Sequence, residues 1–343
     1  MPPLQVAVVG AGAFGRNHLR VYREIEAAHP ELVHLAAVVE PDSVRREAAA
    51  TQYSVAAFAS VDEMLAADLP GFSIQAASIC VPTVHHAAAA EQLLPTGIDV
   101  LIEKPFAASL EEADRVLALA HAHQRILQIG HLERFNPAVA ATIERLNRPM
   151  FFESHRLSIF TPRSLDVDVV LDLMIHDLDI VLALTGSPVR EVRAVGLPVL
   201  SPRVDIANVR LEFESGCVAN FTASRVSTEQ VRKLRLFQPR QYLSLDFARQ
   251  ELLSIDVDPS AAHTWSAIQA PPTPGAHPSS GLSLEKLELP KAEPLRLELE
   301  DFLNAVRHRT APRVPGEAGR AALALALEIN QQIAAHSHRA GLL

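Results

Sequence analysis

The chain has 343 residues, 48 % apolar and 21 % charged, which suits two globular domains with cores of ordinary size. A formal net charge of -9 excludes a general nucleic-acid-binding surface, because a phosphate backbone wants a positive field. No uncharged apolar run reaches the ~18 residues a membrane span needs, and two cysteines far apart, Cys80 and Cys217, make neither a zinc pair nor a disulfide framework.

The cysteine usage makes a cytoplasmic, reducing location the expectation, and the N-terminal MPPLQVAVVG reads as a first strand rather than a leader. LQVAVVG (4–10) is followed by a helix over 14–28, a second strand HLAAVVE (34–40) and a short helix over 43–51. SVDEML (60–65) carries a capping box, with Ser60 three residues before Glu63. ASICVP (77–82) is a strand, and an alanine-rich helix covers 84–94. DVLIEKP (99–105) is a strand, Ser109 to Ala122 a helix with acids in its first turn, and RILQIGH (125–131) closes the series. Short apolar strands spaced by helices predict an α/β domain with a parallel sheet covered on both faces, over residues 1–130.

Beyond residue 150 the pattern changes. FESHRLSIF, VREVRAVGLP, DIANVRLEFESGCVANFTASR and KLRLFQPRQYLSLDF alternate apolar and polar residues and are joined by turns, as in an antiparallel sheet. A helix is expected over 167–184, and two more over about 295–307 and 319–335. These last helices are expected to pack back on the first domain or cover the sheet of the second, which spans 131–343. Residues 258–281, rich in Pro, Ser, Ala and Gly, read as a long loop in which Trp265 is an anchor or a partner contact.

GAGAFGRNH (10–18) places Gly10, Gly12 and Gly15 in a G-x-G-x-x-G pattern between a strand and a helix. Gly10 permits the tight turn, Gly12 leaves room for a pyrophosphate, and Gly15 lets helix and strand approach closely. Ala13 and Phe14 lie in the same loop, where the helix N-terminus offers N–H groups to an anion. The second strand ends in Glu40, whose carboxylate suits the two ribose hydroxyls of NAD and repels the 2′-phosphate of NADP. Arg45 and Arg46, just beyond, temper that preference.

Two further constellations carry chemistry. In DLMIHDLD (172–179), Asp172 and His176 are four residues apart and share a helix face. A histidine flanked by carboxylates can take a proton from an alcohol as hydride leaves its carbon. The same set could instead hold a divalent metal, or make helix-surface hydrogen bonds alone. In LIEKPFA (101–107), Lys104 ends a strand at the edge where such sheets bind ligands, and Pro105 restrains the backbone around it. An ammonium there would stabilise a developing alkoxide.

In these residues the chain resembles the Gfo/Idh/MocA oxidoreductase family over nearly its whole length. The resemblance rests on G-x-G-x-x-G-x-x-H at 10–18, P-x-x-x-H from Pro82 to His86, E-K-P at 103–105, D-x-x-x-H-x-x-D at 172–179, and the segment LEDFLNAVRHRTAPRVPGEAG. It implies an N-terminal Rossmann domain, a C-terminal α/β domain with a large and mostly antiparallel sheet, a bound nicotinamide cofactor, and homodimers or homotetramers built through the exposed sheet face. It further implies that Lys104 lies by the substrate hydroxyl, that His176 accepts the proton and that Asp172 orients substrate or base. Pro82, His86 and Glu103 are assigned with the glycine loop and Glu40 to the cofactor. Where many members carry glycine two residues after the aspartate, this chain has Met174.

GHLERFNPA (130–138) is similar to a segment of nucleotide-sugar 3-dehydrogenases within that family. This implies oxidation at C3 of a UDP-N-acetylhexosamine such as UDP-N-acetylglucosamine, and a partner aminotransferase acting on the 3-keto product, in lipopolysaccharide or cell-surface glycan synthesis. Arg134 and Arg163 would serve the diphosphate, Asn136 a hydroxyl or acetamido group, His131 the ribose or substrate, and Asp179 the substrate. The alternatives are another sugar, sugar nucleotide or cyclitol such as an inositol, and a non-catalytic dinucleotide sensor.

Overall fold

The computed structural model describes residues 2–160, 167–257 and 282–341. Strands and helices run β1 Leu4–Val9, α1 Ala13–Ala28, β2 Val33–Val39, α2 Ser43–Tyr53, β3 Ala56–Phe58, α3 Val61–Leu65, β4 Ala76–Ile79, α4 His86–Leu93, β5 Asp99–Glu103, α5 Leu110–Ala122 and β6 Leu127–Gly130. There follow α6 Pro137–Ile143, β7 Phe151–Ile159, α7 Ile175–Thr185, β8 Val189–Leu197, β9 Ile206–Phe213, β10 Val218–Ser227, β11 Val231–Gln238, β12 Gln241–Asp246, β13 Glu251–Val257, β14 Leu282–Leu287, α8 Pro294–His308 and α9 Gly316–Arg339. The chain forms two compact units, Met1–Phe135 with Ala292–Ala324, and Asn136–Lys291 with Leu325–Leu343.

The first unit holds a six-stranded parallel sheet in the order β3-β2-β1-β4-β5-β6. The direction of progression reverses between β1 and β4, and the crevice beyond their carboxyl ends is where such sheets take dinucleotides. β4, β5 and β6 bury every residue, because helices cover both faces. On one face Leu19, Tyr22 and Ile25 of α1 share a core with Leu299, Phe302 and Leu303 of α8. Serines end the loops into two helices. Ser60 accepts a 3.1 Å bond from the Glu63 amide while Glu63 accepts one of 2.7 Å from Ala59, and Ser109 accepts 3.2 Å from Glu112.

The second unit holds an eight-stranded sheet in the order β14-β13-β12-β11-β7-β10-β9-β8. Its strands bury alternate residues: Phe152, Ser154 and Arg156 on β7, and Ala219, Phe221 and Ala223 on β10, point inward. Alternation led to an antiparallel expectation, and one neighbouring pair departs from it: β10 runs parallel to β7. The chain leaves β7 through α7, and the meander β8–β9–β10 then returns beside β7 in the same direction. Alternation reports which face is wet, not which way the neighbour runs.

Several elements escaped the sequence reading. β3 has three residues and α6 seven, too short for a period to show. The helix expected from residue 167 begins with a π-helical turn, Val170–Met174, before becoming α-helical. Among the described residues no helix is long and apolar enough to cross a membrane. Trp265 and residues 258–281 lie outside the described residues.

Candidate active site

The glycine loop follows β1. Gly10 has φ +100°, and a Cβ on it would sit 2.8 Å from the Cys80 backbone. A Cβ on Gly15 would fall 1.8 Å from the Gly10 carbonyl oxygen, so α1 packs on β1 as closely as backbones allow. Gly12 differs: a Cβ there would meet nothing within 4 Å. It caps the 16-residue α1 with no side-chain cap and no acid in the first turn. Open space before an uncapped helix N-terminus fits the pyrophosphate of a dinucleotide. Ala13 and Phe14 are exposed beside it.

Glu40 lies one residue past β2 and is buried. Its Oε2 accepts 2.8 Å from the Ala11 amide, and its Oε1 accepts 3.1 Å from the Asp42 amide and 2.9 Å from Arg45 Nη2. Burial alone would raise its pKa; the Ala11 amide and the Arg45 guanidinium outweigh burial and bring it below the ordinary value. The carboxylate is therefore ionised at the position where a ribose would lie. Arg45 is paired to Glu40, and Arg46 donates to the Glu40 and Pro41 carbonyls at 2.8 and 3.0 Å.

At the end of β5, Glu103 turns into the protein. Its Oε1 lies 2.9 Å from His18 Nε2, and its Oε2 accepts a 3.3 Å bond from the Lys104 amide. An ionised carboxylate only accepts, so His18 donates through Nε2. A Cβ on Gly130 would sit 2.8 Å from Glu103 Oε1. The histidine of the glycine loop, the glutamate of E-K-P and the glycine of GHLERF thus converge on one buried carboxylate. From the sequence Glu103 is assigned to the cofactor, to pairing with Lys104 or to holding its loop, and His18 and Gly130 carry no role; only the fold brings residues 18, 103 and 130 together.

His86 is also buried. Its Nδ1 is 3.0 Å from the Pro105 carbonyl and its Nε2 2.9 Å from the Val81 carbonyl, so it packs between the loops after β4 and β5, and the single N–H of the neutral ring donates to one of the two. Burial lowers its pKa. Pro82 is exposed at the mouth of the first of these loops. Burial lifts the Cys80 thiol well above its ordinary pKa, and the Glu103 carboxylate acts in the same direction, so Cys80 stays a thiol.

Beyond β6, His131 is buried and Arg134 is half-buried on the helical turn Leu132–Phe135. Asn136 is 1 % exposed; its Oδ1 caps α6 at the Ala138 amide, 3.1 Å away, and its Nδ2 donates to the Phe247 carbonyl at 3.0 Å. These bonds give Asn136 a structural task. Arg163 lies outside the described residues.

In the second unit Asp172 sits in the π-helical turn, with His176 one residue into α7; both are half-buried, while Asp177 and Asp179 are buried. A π turn holds about 4.4 residues rather than 3.6, so Asp172 and His176 keep roughly one face but with a different offset from an α-helix. Asp168 Oδ1 accepts from the Val170 and Leu171 amides at 2.9 and 3.0 Å, and Asn330 Nδ2 donates to its Oδ2 at 2.9 Å. Sequence reasoning missed Asp177 and its partner Arg156. The signal was there: the alternation Phe152, Ser154, Arg156 aims an arginine into the core, where it must find an acid. Among the described residues no group of three or more His, Cys, Asp or Glu could hold a metal ion.

Residues 4–131 match the model of the oxidoreductase family with an NAD-binding Rossmann fold, and residues 141–239 match the GFO/IDH/MocA C-terminal domain. The chain is 36 % identical to UDP-N-acetylglucosamine 3-dehydrogenase of Acidithiobacillus ferrooxidans over 339 residues, 98 % of this chain and 99 % of that one. It is 33 % identical over 199 residues to inositol 2-dehydrogenase of Leifsonia xyli, covering 56 % of each. A solved structure of the A. ferrooxidans enzyme superposes with a TM-score of 0.85 over 98 % of this chain and 99 % of that one. An oxidoreductase domain protein from Kribbella flavida, 17 % identical, shares the fold with a TM-score of 0.83 over 98 % of each chain. With its dinucleotide loop, its ionised Glu40 and these full-length likenesses, the chain belongs to the Gfo/Idh/MocA family of NAD-dependent oxidoreductases.

Proposed function

We propose that this protein oxidises the C3 hydroxyl of UDP-N-acetylglucosamine to the 3-keto sugar nucleotide. The observation that carries the substrate is the 36 % identity to UDP-N-acetylglucosamine 3-dehydrogenase across 98 % of the chain, where the likeness to inositol 2-dehydrogenases, at 29–33 % identity, covers 56–63 % of it.

NAD, when bound, supplies the two-electron acceptor for the hydrogen on C3. The glycine loop and the N-terminus of α1 hold its pyrophosphate, and Glu40 accepts from its ribose hydroxyls. Lys104 donates to the substrate oxygen and stabilises charge as the C–O bond gains double-bond character. The imidazole of His176 takes the hydroxyl proton, and Asp172 orients imidazole or substrate. Atoms balance: the C3 hydrogen leaves with two electrons, the hydroxyl proton ends on His176, and a ketone remains. Arg134 is the diphosphate ligand, joined by Arg163; His131 and Asp179 line the sugar site.

The 3-keto product suits an aminotransferase as the next enzyme. We assign a cytoplasmic location, where NAD, the sugar nucleotide and two free thiols coexist, and a homodimer or homotetramer.

The test is turnover of UDP-N-acetylglucosamine with NAD, the ketone drawn off by an aminotransferase with glutamate because alcohol oxidation is uphill. A specificity constant at least tenfold above those for myo-inositol, free N-acetylglucosamine and UDP-glucose supports the reading. Preference for an inositol or a free sugar overturns it.

A further inference from the structure

Asp177 follows His176 directly, yet the reaction proposed above has no use for it. Its carboxylate faces Arg156 on β7: Nε donates to Oδ2 at 2.9 Å and Nη2 to Oδ1 at 2.8 Å. The two side chains are 4 % and 2 % exposed, and the guanidinium also lies 5.3 Å over the ring of Phe247. Two parallel bonds between planar groups fix rotation as well as distance, where a single bond leaves a pivot. A buried ion pair is a costly way to hold a helix that apolar contacts could hold, so its use calls for a geometric reason.

The surroundings supply one. The turn Val170–Met174 just upstream is π-helical, and π turns sit at functional sites more often than elsewhere. Upstream again, Asp168 caps the Val170 and Leu171 amides and is held by Asn330. The stretch carrying Asp172 and His176 is thus pinned at one end by the Asp168 cap and at the other by the Asp177 fork. We propose that Arg156 and Asp177 are positioning residues for His176: their fork sets the rotation of α7 about its axis and so the direction of the imidazole. The proposal rests on the reading of His176 as proton acceptor.

Full-length variants test it, with kcat, KM for UDP-N-acetylglucosamine and for NAD, and Tm measured on each. Asp177→Asn and Arg156→Lys keep hydrogen-bonding groups but lose the charged fork; each should lower kcat by about ten- to a hundredfold while both KM values move by less than about threefold. Arg156→Met with Asp177→Leu removes both charges and leaves no buried ion unpaired, so it should keep its Tm and still show the kcat loss. That pairing separates aim from stability and carries the test even if Asp177→Asn does not fold. The inference is overturned if the double variant turns over like the parent, or if the single variants lose Tm but keep kcat per folded molecule. His176→Ala is the control: parental kcat in that variant would sink the proton-acceptor reading and the fork with it.

Discussion

In the parallel sheet, β4, β5 and β6 bury every residue, whereas β9 and β10 of the mixed sheet bury alternate ones. In the first sheet the residues proposed for the site gather where the strands stop: Gly10 after β1, Glu40 after β2, Pro82 after β4, Lys104 after β5 and His131 after β6. The second sheet can aim a polar residue inward from mid-strand, as Arg156 does on β7, and fasten a helix with it. Both units hold a proposed reactive residue through a buried pair next to it in sequence. His18–Glu103 sits beside Lys104, and Arg156–Asp177 beside His176. The lesson is that the parallel sheet offers position at its rim, while the one-faced sheet offers orientation through its interior.

The strongest way to break this comparison is at the rim itself. Lys104→Ala should lower kcat by on the order of 10²–10³-fold, with the NAD dissociation constant, read by fluorescence titration, moving less than about twofold. Unchanged turnover would remove Lys104 from the chemistry. Next comes the glycine loop. Gly15→Ala forces a backbone shift, since its Cβ would lie 1.8 Å from Gly10 O, and should cost about 3 kcal/mol in denaturant unfolding. Gly12→Ala should leave unfolding unchanged and weaken NAD by about tenfold, because its Cβ enters the open space proposed for the pyrophosphate.

In the mixed sheet, Asp205 accepts from the Val199, Leu200 and Ser201 amides at 2.8, 2.6 and 2.8 Å. Burial would raise its pKa, but the Ser201 hydroxyl and these amides outweigh burial and lower it to about 2. A folded-state pKa below the unfolded value of ~3.9 means the stabilisation is complete above that value and fades as pH falls toward the folded one. Asp205→Asn should therefore lose about 2 kcal/mol at neutral pH and unfold with a shallower pH dependence between about 4 and 2.

The smallest effect sharpens the role of Glu103. Glu103→Gln should lower kcat by about tenfold and leave NAD affinity within about twofold, as expected of a group that holds His18 and the Lys104 amide. Weaker NAD with intact kcat would instead place Glu103 at the cofactor.

The sequence by itself determined the parallel sheet, its glycine turn and the change of character after residue 150. These are local: a period, a capping serine or a glycine before a helix needs no distant partner to be read. The tight loops also placed Glu40 and Lys104 at strand ends, since parallel strands put all their carboxyl ends on one edge. The tertiary structure alone decided what those neighbourhoods do. It turned Glu103 toward His18, 85 residues away, gave Asn136 to the Phe247 carbonyl, and bound Asp177 to Arg156 across 21 residues. It also set the π turn under Asp172 and the parallel pairing of β10 with β7. A buried polar group takes whichever partner the packed chain brings within about 3 Å, and that distance belongs to the fold rather than to any stretch of sequence.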